Sequence, residues 1–317
     1  MNPEITLIIP FYNEEGNIPR LINELNLFIT KERGEKFEII FIDDGSSDNS
    51  AGLIASGNFV APVRLIKFSK NYGPHAALRA AVTIASGKFI TFNYADLQDP
   101  LDLVDRMYEK CCEGSEIVWG VRNSIKSGFF EQAFSKGYAK LLQIFVNPDF
   151  PKNGFDVVMF NSKVKDELNK NIESNSSIFV QILNLGFKQN FIKYDKKERE
   201  FGKSKWTFSK KFKLFIDTFV AFSYAPIRFV TVMGLILFLF GFFWTVYIVF
   251  RELLYHDLSP GWPTLISILM ICFGVTNISL GIIAEYLWRT LDASRKRPVF
   301  IIDQTIDLKS QDSKNLN

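Results

Sequence analysis

Three clusters of polar residues each follow a run of apolar ones. Tyr12–Glu14 follows Ile5–Pro10, Asp43–Asp48 follows Phe37–Ile42, and Asn93-Tyr94-Ala95-Asp96-Leu97-Gln98-Asp99-Pro100 follows Phe89–Phe92. Carboxylates gathered this way suit a hard divalent cation that takes oxygen ligands and shares them with phosphate groups. Farther along stand Arg122, Asp156 in the run Gly154-Phe155-Asp156, and the basic group Arg199, Lys203 and Lys205. Arginine is suited to bidentate phosphate contacts, although anionic headgroups attract any basic loop beside a membrane. Other chemistries lack their residues. No G-x-G-x-x-G follows the first apolar run and there is no G-x-x-x-x-G-K-[ST], so dinucleotide and P-loop binding lose their glycine signatures. His75 and His256 are the only histidines, which excludes an H-E-x-x-H zinc site, and the G-x-S-x-G nucleophile elbow is absent.

The apolar runs predict the scaffold. Ile5–Pro10, Phe37–Ile42, Val63–Phe68, Phe89–Phe92 and Ile117–Val121 read as strands. Ile18, Leu21, Ile22, Leu25 and Phe28 recur at helical spacing, and Ala76–Ala85 reads as helix. Apolar strands alternating with helices predict an α/β fold with a mainly parallel sheet. Such sheets bind ligands beyond the carboxyl ends of their strands, which is where the three polar clusters fall.

The 317 residues carry a net charge of only +3, so no overall field points to nucleic acid. Three cysteines, two of them adjacent (Cys111, Cys112), form no disulfide framework and fit a reducing compartment. The opening residues enter a strand without a basic stretch and apolar core, an expectation against a secretion signal. The charge balance conceals a split. Phe229–Phe250 has no charged residue, and Pro263–Tyr286 has one, Glu285. A crossing needs roughly 20 apolar residues for about 30 Å of hydrocarbon, so both runs predict spans. Cations cluster outside the pair (Lys210, Lys211, Lys213 and Arg228; Arg289, Arg295, Lys296 and Arg297), which puts both flanks in the cytoplasm. Before the first span, aromatics from Trp206 to Phe222 interleave with lysines, the pattern of helices lying in the headgroup layer. The expected division is a cytoplasmic catalytic domain at 1–205, interfacial amphipathic helices at 206–226, two transmembrane helices at 227–288 and a cytoplasmic tail at 289–317.

Pro10-Phe11-Tyr12-Asn13-Glu14, Asp43-Asp44-Gly45-Ser46 and Asp96-Leu97-Gln98-Asp99-Pro100 resemble, in order, the motifs of family 2 glycosyltransferases of the GT-A fold. Three further features resemble the polyprenyl-phosphate branch of that family: Arg199 before Phe201-Gly202-Lys203-Ser204-Lys205, the two-span hairpin, and Glu285-Tyr286-Leu287 leading to Arg297-Pro298. The resemblance implies a Rossmann-like sheet with helices on both faces. It also implies transfer of one sugar from a nucleotide-sugar to a polyprenyl phosphate at the cytoplasmic face of a bacterial inner membrane. UDP-glucose and undecaprenyl phosphate are the first expectation; GDP-mannose, a UDP-amino-sugar and dolichyl phosphate stay open, as do a homo-oligomer and, as a different class, a non-catalytic membrane scaffold. Pro10, Tyr12, Glu14, Asp44, Asp96 and Arg122 would bind the donor. Asp96 with Gln98 would hold Mg²⁺ or Mn²⁺, Arg199 and Lys205 would bind phosphate or acceptor, and Asp156 would be the catalytic carboxylate. The chain departs from the family pattern at Tyr94, where the first aspartate of D-x-D belongs.

Individual residues also have plainer expectations. Ser46–Asp48 read as local capping residues and Asp99 as the cap of a helix beginning near Pro100. Asp43 is left open, Arg79 reads as a surface or intramolecular ion pair, and His75 as structural.

Overall fold

The structure is a computed structural model that describes residues 3–123, 137, 139–152, 154–170, 177–197, 261–295 and 298–308, with scattered positions between 229 and 254. The chain divides into two compact units, Met1–Thr218 together with Pro298–Asn317, and Phe219–Arg297.

The first unit is built on a sheet of eight strands: β1 (Ile5–Phe11), β2 (Phe37–Asp43), β3 (Val63–Phe68), β4 (Phe89–Phe92), β5 (Ile117–Arg122), β6 (Phe155–Asn161), β7 (Gln189–Tyr194) and β8 (Ile302–Leu308), in the order β7-β5-β6-β4-β1-β2-β3-β8. Every residue of β1 and β2 is buried, as expected of central strands covered on both faces. β1 runs parallel to β2 and β4, β2 to β3, and β5 to β7; β6 is antiparallel to both neighbours, and β8 is antiparallel to β3. The predicted mainly parallel α/β sheet is present, with two antiparallel strands that the apolar runs did not reveal.

Side-chain alternation divides the core. Leu7, Ile9, Phe41 and Leu65 meet Leu21 and Leu25 of α1 (Ile18–Phe28), Ile54 of α2 (Ser50–Ala55), and Val104 and Met107 of α4 (Asp102–Cys112). The opposite face is covered by α3 (Pro74–Ile84), which packs on β1 and β2 and touches α5 (Ser162–Lys170) and α6 (Ile178–Leu183). At the amino end of the sheet the buried carboxylate of Glu38 accepts from Thr6 Oγ1 at 2.7 Å, Ser86 N–H at 3.0 Å and Ser86 Oγ at 2.9 Å. That charge is structural and lies at the sheet end opposite the polar clusters.

The second unit contains α7 (Trp262–Arg295), 34 residues long, a length of about 50 Å at ~1.5 Å per residue. Among the described residues no helix is long and apolar enough to cross a membrane. Half of 229–250, several side chains within α7, and all of 206–226 lie outside the described residues. Residues 302–308, read from sequence as part of a tail, form β8 on the free edge of β3.

Candidate active site

The carboxyl ends of β1, β2, β4 and β5 point to one edge of the sheet. Antiparallel β6 brings its first residues to the same edge, and parallel β7 brings its last. Asp44, Asp96, Arg122, Asp156 and the residues after Tyr194 therefore converge by topology. Pro10 is buried within β1 opposite Ile42, so it shapes the strand end from inside the sheet. Tyr12 and Glu14 open the next loop, half-buried.

Two loops are laced together there. Asn13 N–H donates to Ser46 Oγ at 2.9 Å, Ser47 N–H to Asn13 Oδ1 at 2.8 Å, Glu14 N–H to Ser50 Oγ at 2.9 Å and Glu15 N–H to Asp48 Oδ2 at 3.1 Å. Ser46 and Ser47 are thus ties between the β1–α1 and β2–α2 loops and not the local caps expected of them, whereas Asp48 does both: its Oδ2 takes the Glu15 amide and its Oδ1 accepts Ser50 N–H at 3.1 Å, at the first residue of α2. Asp43 Oδ1 accepts from Ser46 N–H at 2.8 Å, a turn contact.

Asp44 reaches the β3–α3 loop. Its carboxylate accepts Tyr72 N–H at 2.7 Å and Gly73 N–H at 2.9 Å. The loops come close enough that a Cβ on Gly45, itself at φ +73°, would sit 2.5 Å from the carbonyl carbon of Lys70, so only glycine fits. Burial pushes the Asp44 carboxyl up to about 6, against the two amides and with help from adjacent Asp43. A carboxyl raised above its unfolded value supplies stability below about pH 4 and loses it as the pH climbs through 6. Asp44→Asn is therefore expected to raise the melting temperature at pH 7.5 by roughly 3–6 °C, on the order of 1–2 kcal/mol, and to flatten the decline between pH 4 and 6.5. Thermal melts across that range test this, and a variant that melts lower than the parent at pH 7.5 would contradict it.

The third cluster is the most charged. Asp99 is buried and accepts the Tyr194 hydroxyl, and Lys196 Nζ lies 3.5 Å from it. Lys196 Nζ also donates to Asp156 Oδ2 at 2.6 Å, and the same oxygen accepts from Arg122 Nε at 2.7 Å and from a second Arg122 nitrogen. Burial raises the Asp99 carboxyl to about 6 despite Lys196. Burial would raise Asp156 as well, but Lys196 and Arg122 outweigh it and hold that carboxyl below the usual range. The loop is fastened to the chain after β7, with Lys197 N–H on Gln98 O at 2.8 Å. Leu97, at φ 54°, is left-handed without being glycine, a strain of about 1–2 kcal/mol that concentrates at functional sites. Asp99 is therefore a network carboxylate and not the helix cap expected of it: α4 starts at Asp102 and its N-cap, Leu101, makes no side-chain cap bond.

Tyr94 lies in this charged group. Burial, then the fields of Asp156, Asp99 and Asp96, keep its phenol protonated far above the usual range. Among the described residues no three carboxylate, histidine or cysteine side chains gather to hold a metal. Asp156 and Asp99 are engaged by cations; half-buried Asp96 lies on the same loop as Asp99, its Oδ1 accepting Gln98 N–H at 3.3 Å. One carboxylate with neighbouring polar groups fits an ion that arrives with phosphate oxygens and water, and does not fit an all-protein cage.

Arg199 and Lys205 lie outside the described residues. Arg79 is buried, with Nη2 3.5 Å from Gln181 Oε1, which corrects its surface reading. His75 packs edge-on to Phe179, its centroid 6.1 Å away, and burial followed by the field of Arg79 lowers its imidazole to about 4. Sequence singles out neither Lys196 nor Tyr194, and it reads Asp99 only as a helix cap. The available signal was the alternation Gln189-Asn190-Phe191-Ile192-Lys193-Tyr194, a strand whose far end had to meet the same sheet edge.

Comparison with known proteins places this geometry. Residues 6–168 match the description "Glycosyl transferase family 2", and residues 225–289 match "GtrB C-terminal hairpin". The uncharacterized glycosyltransferase YkcC of Bacillus subtilis (strain 168) is 30% identical over 97% of this chain and 96% of its own. The uncharacterized glycosyltransferase sll0501 of Synechocystis sp. is 28% identical over the full length of both chains. The fold is similar to glucosyl-3-phosphoglycerate synthase from Mycobacterium tuberculosis, solved with Mn²⁺, UDP-glucose and phosphoglyceric acid. The TM-score is 0.51 at 17% identity, over 69% of this chain and 78% of that one.

Proposed function

This chain belongs to glycosyl transferase family 2, and from that premise we propose that it transfers one sugar from a nucleotide-sugar to a polyprenyl phosphate held in a membrane. The observation that carries the reading is the single sheet edge where the Asp96–Asp99 loop meets Asp156, Arg122 and Lys196, in a chain that also matches the GtrB hairpin. UDP-glucose remains the first donor to try, with GDP-mannose and UDP-amino-sugars as alternatives. Undecaprenyl phosphate is the first acceptor.

In this reading the base and ribose lie across the laced loops of Tyr12, Glu14 and Asp44. Asp96, with Gln98, would hold Mg²⁺ or Mn²⁺, and the ion would supply charge neutralisation for the nucleoside diphosphate leaving group. Arg122 and Lys196 place positive charge at the same edge, fixed in advance by Asp156. An oxygen of the lipid phosphate attacks the anomeric carbon. The bond from that carbon to the diphosphate breaks, its electron pair leaves with the nucleoside diphosphate, and the configuration inverts. A phosphate monoester has its second pKa near ~6, so the nucleophile needs no strong base at neutral pH. Arg199 and Lys205 receive the acceptor phosphate.

The hairpin crosses the membrane twice, with the catalytic unit in the cytoplasm of a bacterial cell. Two observations support this. Cations flank both runs on their outer sides, and residues before 219 and after 297 belong to one compact unit, as a hairpin with both ends on one side requires.

The test is turnover by the full chain in nanodiscs with undecaprenyl phosphate, Mn²⁺ or Mg²⁺ and a donor panel, read by mass spectrometry of the lipid. A lipid heavier by one sugar residue is expected with one donor class. If every donor leaves the lipid unchanged, the proposal is wrong.

A further inference from the structure

β8 does more than cover an edge. It pairs with all of β3, from Val63 opposite Leu308 to Phe68 opposite Ile302, with a shift in register at Lys67/Phe68. Arg64 Nε donates to Asp307 Oδ1 at 2.7 Å, and Ser69 N–H donates to Ile301 O at 3.2 Å, just past the strand. At that end the Phe300 ring stacks on Phe68, with centroids 5.6 Å apart and planes 7° from parallel. Phe68 meets Tyr72 edge-on, also at 5.6 Å. Tyr72 Oη lies 3.3 Å from Ser69 Oγ, and Lys70 Nζ sits 5.1 Å from the Tyr72 ring centre. The amides of Tyr72 and Gly73 are the ones Asp44 binds. A continuous chain of contacts thus runs from the residues that follow the hairpin, through two aromatic rings, to the loop that Asp44 binds at the carboxyl ends of the strands.

We infer that the segment Pro298–Leu308 is a positioning element for the donor. Phe300 holds Phe68 and Tyr72 in place, and through them the Lys70–Gly73 loop in the shape that receives the nucleotide. The inference rests on the reading of those strand ends as a nucleotide-sugar site. It assigns Phe300 a task that edge protection does not require, since backbone pairing and charged side chains already cover β3. The geometry also explains why the stacked ring lies at the end of β8 nearest that loop.

The experiment compares Phe300→Ala with the parent, as full chains in nanodiscs. Aromatic pairs contribute ~0.5–1.5 kcal/mol, or about two- to tenfold in an equilibrium. The KM for the donor should rise by about that factor, with kcat at saturating donor within about twofold. Hydrogen exchange at Tyr72 and Gly73 should quicken by a similar factor while the amides of β1 stay unchanged, and Phe300→Tyr should restore both. Unchanged exchange at Tyr72 and Gly73 overturns the inference. So does an unchanged donor KM in an active enzyme, which would reduce β8 to an edge cap. Should the parent transfer no sugar, the functional reading fails, and the exchange comparison still decides whether Phe300 holds the loop. Phe300→Leu, which keeps apolar bulk and loses the stack, serves the same comparison if the alanine variant does not fold.

Discussion

Replacing Asp96 with alanine is expected to lower turnover by about 10²–10³-fold while moving the melting temperature by no more than about 2 °C. The asymmetry comes from where the residue sits. Asp96 is half-buried in the loop after β4, where its Oδ1 accepts the Gln98 amide two residues on. The fold's own demands in this loop fall on Asp99, which is buried under Tyr194 and Lys196. In the proposed function Asp96 faces the charge that develops on the leaving group, so its loss should fall on turnover. Nucleoside diphosphate release with lipid phosphate present, repeated over a range of Mn²⁺ concentrations, checks the loss and its metal dependence. Parent-like turnover would remove Asp96 from the site and with it the proposed place of the metal.

Asp156→Asn should behave differently, losing activity and stability together. The carboxylate compensates two cations, and the side chains of Arg122, Lys196 and Asp156 are 29%, 22% and 18% exposed. Removing one partner from a fully buried pair costs ~3–5 kcal/mol. Partial exposure reduces that to about 2–3 kcal/mol, or roughly 5–10 °C in a domain of this size. Asp156 is held below the ordinary carboxylate range, so its stabilisation is complete at neutral pH and fades only as the pH falls through that depressed value. Such a group is a poor proton acceptor near pH 7. Its fitting role is to hold Arg122 and Lys196 in place, with turnover in Asp156→Asn down about 10²-fold through their disorder. The pH–rate profile of the parent between 5 and 8 should show no titration of Asp156. Melting curves and single-donor kinetics on the variant decide the rest: a stable, active Asp156→Asn would show that the cations need no anchor.

These roles were legible from sequence to different depths. β1, β2 and β4 stand out because central strands buried on both faces become unbroken apolar runs, and the acidic loops after them are findable by the strand-end rule alone. β7 and β8 escaped because edge strands carry charge to stay soluble; Ile302-Asp303-Gln304-Thr305-Ile306-Asp307-Leu308 reads as a polar tail until β3 is seen beside it. Lys196, Asp99 and Tyr194 escaped for another reason. Tyr194 bonds Asp99 across 95 positions of chain, and no local pattern announces a partner so distant. Capping explains an Asp or Ser before a helix so often that it is the natural reading of Ser46–Asp48; it holds for Asp48, which accepts Ser50 N–H, while Ser46 and Ser47 go to Asn13 of the neighbouring loop. Tyr94 was visible as a departure from the family pattern, but the three carboxylates whose fields act on its phenol came only with the fold.

The place of β8 also sets an order of events during synthesis. The ribosome makes residues 1–218, then 219–297, and only then the strand that covers β3. Until that moment the nascent catalytic unit has an open sheet edge, able to pair with any extended chain nearby. A polypeptide that stalls or is cleaved within 219–297 is therefore released with its sheet one strand short, and the cell has reason to degrade it before it can accumulate.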